Sequence, residues 1–267
     1  MHRSGTSLLA GKLHACGVFM GARRNAHEEA YFFLHKNQRI FHLAHAHWDH
    51  PEPVQLLLGC PEFRSQVVTS LREAVRSLKV VSYLGMTRYL RFGGFRRLAH
   101  LWGWKDPRNT YTLPLWLDVF PDTKVIHICR NGVDVADSLR KREQQRPQQW
   151  NDPLFSCRCS SLEGAFGLWV EYEHMNMTVT DNLPENRALH LRYEDFVTTP
   201  NDHLQRIAQF LGVSFGLGRI DRAVRDIRPE SAYAFLRNAE LRAFYEEKRL
   251  HPMMSQLAYD TCSPIQA

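Results

Sequence analysis

Arg3-Ser4-Gly5-Thr6-Ser7 precedes an apolar-periodic run that reaches Leu13. The segment reads as a short turn opening a helix, with Gly5 in the turn and the Thr6 and Ser7 hydroxyls at the helix entrance. Such an entrance leaves backbone N–H groups unpaired at the positive end of the helix dipole. With Arg3 beside it, the turn suits a phosphate or sulfate group. An ordinary capped helix would use the same residue types, so this pattern alone does not decide between them.

A second stretch changes that balance. Lys124-Val125-Ile126-His127-Ile128-Cys129 has the apolar character of a buried strand, Arg130-Asn131-Gly132 is a turn signal, and a helix begins at Val133. Arg130 therefore falls at the carboxyl end of a strand, where open α/β sheets bind ligands, and Ser138 lies within the helix that follows. A guanidinium placed there offers a planar fork to a second phosphate.

Together these residues resemble the sulfotransferases that use 3′-phosphoadenosine 5′-phosphosulfate (PAPS). That family holds the 5′-phosphosulfate with Arg/Lys-Ser-Gly-Thr-Thr/Ser, here Arg3 to Ser7, and the 3′-phosphate with Arg-Asn/Asp-x-x-Asp-x-x-x-Ser, here Arg130 to Ser138. Trp104-Lys105-Asp106-Pro107-Arg108 and Leu191-Arg192-Tyr193-Glu194-Asp195-Phe196 resemble two further family segments, and all four occur in the family's order. The resemblance spans most of the chain and points to a bacterial-type or carbohydrate/tyrosylprotein-like branch. It implies a single sulfotransferase domain over 1–267, with a mostly parallel central sheet flanked by helices in the P-loop NTPase-like manner. Relatives place an apolar strand before the phosphate loop, whereas only Met1 and His2 precede Arg3, so the first strand is expected to be missing.

The resemblance also assigns roles. Arg3, Ser4, Gly5, Thr6 and Ser7 clamp the 5′ side, Arg130 and Ser138 clamp the 3′-phosphate, and Tyr193 lies near the adenine. Lys105 supplies the cation for the transferring group, with a structural ion pair to Asp106 as the competing role. Cytosolic relatives carry a histidine base two residues past the matching lysine, where this chain has Pro107. Other branches use a glutamate after the first helix, which selects Glu29 first, Glu28 second and Asp106 third. First-turn carboxylates complementing a helix dipole are the alternative for Glu28 and Glu29. Glu194 and Asp195 are expected to anchor backbone or Arg192. The late Arg-Lys-Gly loop of cytosolic members has no counterpart in the sequence.

The resemblance implies a hydroxyl or amine acceptor on a small molecule, carbohydrate or peptide. A catalytically inert sulfotransferase-like nucleotide binder is the main alternative. A P-loop kinase ranks below it, because Gly5 and Gly11-Lys12 are one residue too far apart for Gly-x-x-x-x-Gly-Lys-Ser/Thr and Leu13 follows the lysine.

The composition is compatible with this reading. The 267 residues are 44% hydrophobic and 23% charged, enough for a full core and too apolar for a disordered chain. The net charge of +6 suits an anionic cofactor. The basic residues cluster locally, at Arg23-Arg24, at Arg88, Arg91, Arg96 and Arg97, and at Arg140-Lys141-Arg142, without the aromatic interleaving of a nucleic-acid surface. Six cysteines could form three disulfides, but Cys129 falls in a buried strand and Cys157-Arg158-Cys159 is too tight for a zinc pair. They read as mostly free in a reducing cytoplasm. No metal is expected, since His42, His45, His47, His50 and Asp49 match no zinc spacing and read as a histidine-rich loop. No run is apolar enough for a membrane span.

Periodicity predicts a first helix from about 6 that ends near 17–21, helices over 28–41, 61–78, 109–120, 133–143, 162–183 and 200–211, and strands over 101–105, 124–129 and 187–192. Gln144–Ser160 reads as a polar stretch. The residues from about 255 to 267 read as a mobile tail.

Overall fold

The computed structural model describes residues 1–98, 100–145 and 155–261. The chain forms two compact units, one of Thr6–Lys124 with Leu204–Arg225, the other of Met1–Gly5, Val125–His203 and Asp226–Ala267.

In the first unit, α1 (Thr6–Ala15) buries Leu9, Ala10 and Leu13, and α2 (Tyr31–Leu43) buries Phe32, Phe33, Ile40 and Phe41. Helix α3 (Pro61–Arg76) packs against α4 (Asn109–Val119). The core is aromatic. Phe33 stacks on Trp104 at 4.1 Å between ring centroids, and Trp102, Trp116 and Phe95 surround Phe33. Asn37, wholly buried, uses its amide as a hub. It donates to Asp106 Oδ2 (3.0 Å) and Asn109 Oδ1 (2.9 Å), and it accepts from Thr112 Oγ1 (2.9 Å) and Trp116 Nε1 (2.8 Å). Each buried polar atom of that hub thus has a partner, as a core site requires.

Two expectations change here. Residues 101–105 are extended, with Trp102 and Trp104 both turned into the aromatic cluster, but their pairing is a single parallel bridge between Phe19 and Trp102. The neighbouring segment runs alongside for only that rung, so no strand ladder forms. Helix α2 begins at Tyr31 rather than residue 28. Asn25 pins the preceding turn, and Glu28 takes a left-handed φ of 63°, which no helix accommodates. Glu28 and Glu29 are therefore not first-turn helix residues.

In the second unit, β1 (Val125–Cys129) and β2 (Ala188–Arg192) pair in parallel, in register from Val125↔Ala188 to Cys129↔Arg192. Parallel pairing needs a long crossover. Here it runs through α5 (Gly132–Gln145) and α6 (Leu162–Thr180), which pack tightly together. Gly132 permits that approach, because a Cβ there would lie 2.7 Å from Trp169 Cε3 and 2.8 Å from Phe166 Cε2. Val133, Leu139, Leu168 and Trp169 are fully buried between the layers. Strand β2 leads directly into α7 (Tyr193–Thr198). The architecture is α/β and mostly helical, with a parallel sheet flanked by helices.

The tail predicted from about residue 255 is docked as far as Tyr259, which is fully buried and donates its hydroxyl to Glu194 Oε2 at 2.7 Å. Its apolar anchors Met253, Met254 and Tyr259 are scattered among polar residues, so composition hides them. Residues 262–267 lie outside the described residues, as do residues 146–154 of the polar stretch.

Candidate active site

The opening turn is shaped by two left-handed residues, Arg3 (φ 66°) and Gly5 (φ 88°), with α1 starting at Thr6. Gly5 is required twice over. Its φ disfavours any side chain, and a Cβ would come 2.3 Å from Tyr193 Cδ2. Ser4 is fully buried, and its Oγ finds no hydrogen-bond partner among the described residues. A buried hydroxyl without a partner is costly in a finished core and is satisfied when an anion reaches the turn.

Arg130 follows the last residue of β1, and its carbonyl is fixed by Trp169 Nε1 at 3.1 Å. One terminal nitrogen of its guanidinium reaches Asp134 Oδ2 (3.4 Å) and the Ser231 carbonyl (3.0 Å). The guanidinium lies over the Tyr193 ring at 4.6 Å, and its Nε is buried without a partner among the described residues. Asp134 accepts backbone N–H groups from Ala234 (3.2 Å) and Phe235 (2.8 Å), tying the segment 229–235 to α5. Burial pushes the Asp134 carboxyl above its ordinary value, opposed by the Arg130 charge.

Arg3 Nε donates to Ser138 Oγ at 2.7 Å. The opening turn and the distant Arg130–Ser138 segment thus meet. Desolvation, then the charges of Arg142 and Arg130, lower the Arg3 pKa from its ordinary value. Arg142 also pairs with Glu143 and Arg130 with Asp134, and the positive charge that still acts on Arg3 favours an anion beside it. Tyr193 stands between Gly5 and Arg130 and bonds Ser231 Oγ through its hydroxyl at 2.7 Å. Glu194 anchors backbone, accepting Asn131 N–H at 2.9 Å, while Asp195 Oδ2 sits 4.0 Å from Arg192 Nε.

The remaining candidates lie in the unit of Thr6–Lys124. Lys105 Nζ is 3.1 Å from Glu29 Oε1, and both side chains are about nine-tenths buried. Asp106 does not share that pair. It takes the Arg108 N–H (2.9 Å), the Arg108 guanidinium (3.1 Å) and Asn37, and burial pushes its carboxyl upward against the Arg108 charge. The competing role considered for Lys105, an ion pair with Asp106, is replaced by the pair with Glu29. Glu28 turns to Arg24 at 3.1 Å instead. Ser7 Oγ donates to the His27 carbonyl at 3.0 Å, and Asn25 donates to Glu29 Oε2 at 2.9 Å. In the histidine-rich loop, His47 Nδ1 bonds the buried Asp49, and His47 and His50 pair through their backbones.

The family model of the sulfotransferase family matches residues 1–216. The chain belongs to the sulfotransferase family. Among solved structures, it is similar to the sulfotransferase domain from the Curacin biosynthetic pathway. The two share 17% sequence identity at a TM-score of 0.52, over 97% of this chain and 95% of that one, which is a likeness of fold. Every candidate residue of this sulfotransferase lies inside the matched range. The segment 229–235, which meets Arg130, Asp134 and Tyr193, lies beyond it, and sequence reasoning missed its part. Ser231 and the two N–H groups on Asp134 carry no motif; only the unexplained acid at position 134 of the second motif hinted at a partner. No described helix is long and apolar enough to cross a membrane.

Proposed function

We propose that this sulfotransferase uses PAPS and moves its sulfuryl group to a hydroxyl or amine acceptor on a small molecule, carbohydrate or peptide. The observation that carries the reading is the contact of Arg3 with Ser138, joined to two buried polar atoms without partners, Ser4 Oγ and Arg130 Nε. These residues fit a bisphosphorylated donor: two anion-seeking groups, one in each motif, in a neighbourhood crowded with guanidinium charge.

When bound, PAPS supplies the sulfuryl group and departs as 3′-phosphoadenosine 5′-phosphate. Arg130 and Ser138 hold the 3′-phosphate, which separates this donor from nucleotides lacking it. Arg3, the hydroxyls of Ser4, Thr6 and Ser7, and the backbone amides from Gly5 to Ser7 hold the 5′ side. Tyr193 keeps the Arg130 guanidinium in plane and lines the adenine side. Lys105 places positive charge where negative charge grows during transfer, as preorganised electrostatics demands. Glu29 takes the proton of the acceptor as general base. Glu28, paired with Arg24, and Asp106, held by Arg108 and Asn37, are the second and third choices and are less suited to that work. Five described cysteines stand without disulfides, which suits a reducing, cytoplasmic compartment.

Calorimetric titration with 3′-phosphoadenosine 5′-phosphate, AMP and ATP tests the donor, and transfer of labelled sulfate from PAPS to a panel of hydroxyl and amine acceptors tests the reaction. Preference for the 3′-phosphorylated ligand together with labelled product is expected. Binding without transfer on any acceptor would favour an inert nucleotide binder. Preference for ATP would overturn the reading.

A further inference from the structure

We propose that Asn25 is a positioning residue of the transfer site, holding the Glu29 carboxylate in place when Lys105 leaves it. The inference rests on the assignment of Glu29 as base. All of Asn25's side-chain bonds serve the segment that carries Glu29. Its Oδ1 accepts the N–H of His27 (2.9 Å) and of Glu29 (3.0 Å), and its Nδ2 donates to Glu29 Oε2 (2.9 Å). Its backbone adds two more bonds, donating to the Glu29 carbonyl (3.1 Å) and accepting from Glu28 N–H (3.1 Å). The turn from 25 to 29 is thereby closed around one side chain, and Glu28 is left in its left-handed conformation.

The two oxygens of Glu29 have different partners. Oε2 is held by a neutral amide within its own turn, and Oε1 by the ammonium of Lys105. An ammonium at the end of a flexible stem can turn toward new negative charge. An amide fixed by two backbone bonds cannot follow it. As Lys105 swings to the transferring group, Oε1 loses its cation and is left open to a proton, while Oε2 stays anchored. The acceptor hydroxyl or ammonium proton then passes to Oε1. The same turn presents the His27 carbonyl to Ser7 Oγ, so Asn25 also fixes the partner of a phosphate-loop hydroxyl. Lys105 is in direct contact with the Glu29 carboxylate, and the Glu29 charge in turn helps push the Asp106 carboxyl upward.

Asparagine is the side chain that fits this task. Aspartate retains the Oδ1 acceptor for both N–H groups but loses the Nδ2 donor and sets a second carboxylate beside Glu29. Asn25→Asp therefore keeps both N–H acceptor bonds of the turn and replaces the donor to Glu29 with a like charge. Its kcat is expected to fall roughly 10- to 100-fold, the range of a misplaced base. The KM for PAPS should hold at the wild-type value, and the acid limb of the kcat–pH profile should move to higher pH. Asn25→Ser, which also keeps an acceptor oxygen, should lower kcat without moving the acid limb, and it replaces the aspartate variant if that one does not fold. In a Glu29→Gln background neither substitution should lower kcat further. Wild-type kcat and an unmoved acid limb in Asn25→Asp, with Glu29→Gln inactive, would overturn the role of Asn25 and leave the assignment of Glu29 intact. Full turnover in Glu29→Gln would overturn both.

Discussion

Arg3 and Ser138 stand 135 positions apart in the chain, yet the Nε of one donates to the Oγ of the other at 2.7 Å. The contact fixes the relation between the phosphate turn and the second motif. It leaves the other nitrogens of Arg3 beside the charges of Arg130 and Arg142, which lower its pKa after desolvation. Asp134 and Glu143 pair with Arg130 and Arg142, and an anion bound at Arg3 would offset the repulsion that remains. The cluster therefore predicts a large difference between the empty and the liganded protein, and salt or phosphate should raise its melting temperature.

Arg130 tests the 3′ clamp most directly. Arg130→Ala should weaken binding of 3′-phosphoadenosine 5′-phosphate by about 2–5 kcal/mol, the usual cost of removing a buried charge contact. AMP, which lacks the 3′-phosphate, should lose far less. Arg130→Lys keeps a charge but not the planar fork, whose other nitrogens are left for the phosphate while one holds Asp134 and the Ser231 carbonyl, so it should recover only part of the affinity. Calorimetric titration of both ligands reads the difference, and equal losses for the two would contradict the assigned role.

Gly5 is predicted to tolerate no side chain. Gly5→Ala combines a positive φ with a Cβ 2.3 Å from the Tyr193 ring. Strain and displacement of the ring should cost roughly 1–3 kcal/mol of stability. The displaced Tyr193 would also lose its place under Arg130, so nucleotide affinity should fall with stability. Thermal melting with and without 3′-phosphoadenosine 5′-phosphate separates the two effects.

How much of this was legible in the sequence follows from the range of each interaction. The Arg3–Ser7 turn, β1 and the entry to α5 are local patterns of glycine, hydroxyls and apolar periodicity, and they appear where periodicity places them. The start of α2 was misplaced by three residues because Asn25 overrides it through side-chain bonds that no propensity scale includes. Residues 101–105 have strand periodicity, but a ladder needs a neighbour, and only Phe19 supplies one. Lys105 and Glu29, 76 positions apart, carry no shared signal, so their pairing came only from the fold. The same holds for Ser231, Ala234 and Phe235 against Arg130 and Asp134, contacts about a hundred positions long.

Lys105→Ala should separate binding from transfer. Loss of the ammonium leaves the Glu29 carboxylate buried beside Asn25 without its cation, and removes the charge that offsets the developing anion. Turnover is expected to drop by roughly 100-fold or more, in line with removal of a preorganised donor, while affinity for 3′-phosphoadenosine 5′-phosphate changes little. Lys105→Arg should restore the ion pair and part of the rate. Single-turnover transfer assays and titration together check it; a matching loss of affinity would reassign Lys105 to donor binding.

Glu194 gives a prediction on pH. Its carboxyl is almost wholly buried beneath β2, accepting Asn131 N–H and the Tyr259 hydroxyl, and desolvation pushes its pKa above the ordinary 4.5 despite those bonds. A raised value means that the folded protein holds this proton more tightly than the unfolded chain. The stability it contributes is therefore complete below pH 4.5 and is lost as pH rises through the raised folded value. Glutamine has no proton to lose, so Glu194→Gln should melt close to wild type in acid. Its melting temperature should then gain on wild type as pH is brought to neutrality. The difference between the two melting curves, followed across that interval, isolates this carboxyl from every other titrating group. A difference that shrinks or reverses toward neutral pH would show that the bonds from Asn131 and Tyr259 outweigh desolvation, and that Glu194 is held as a stabilising anion.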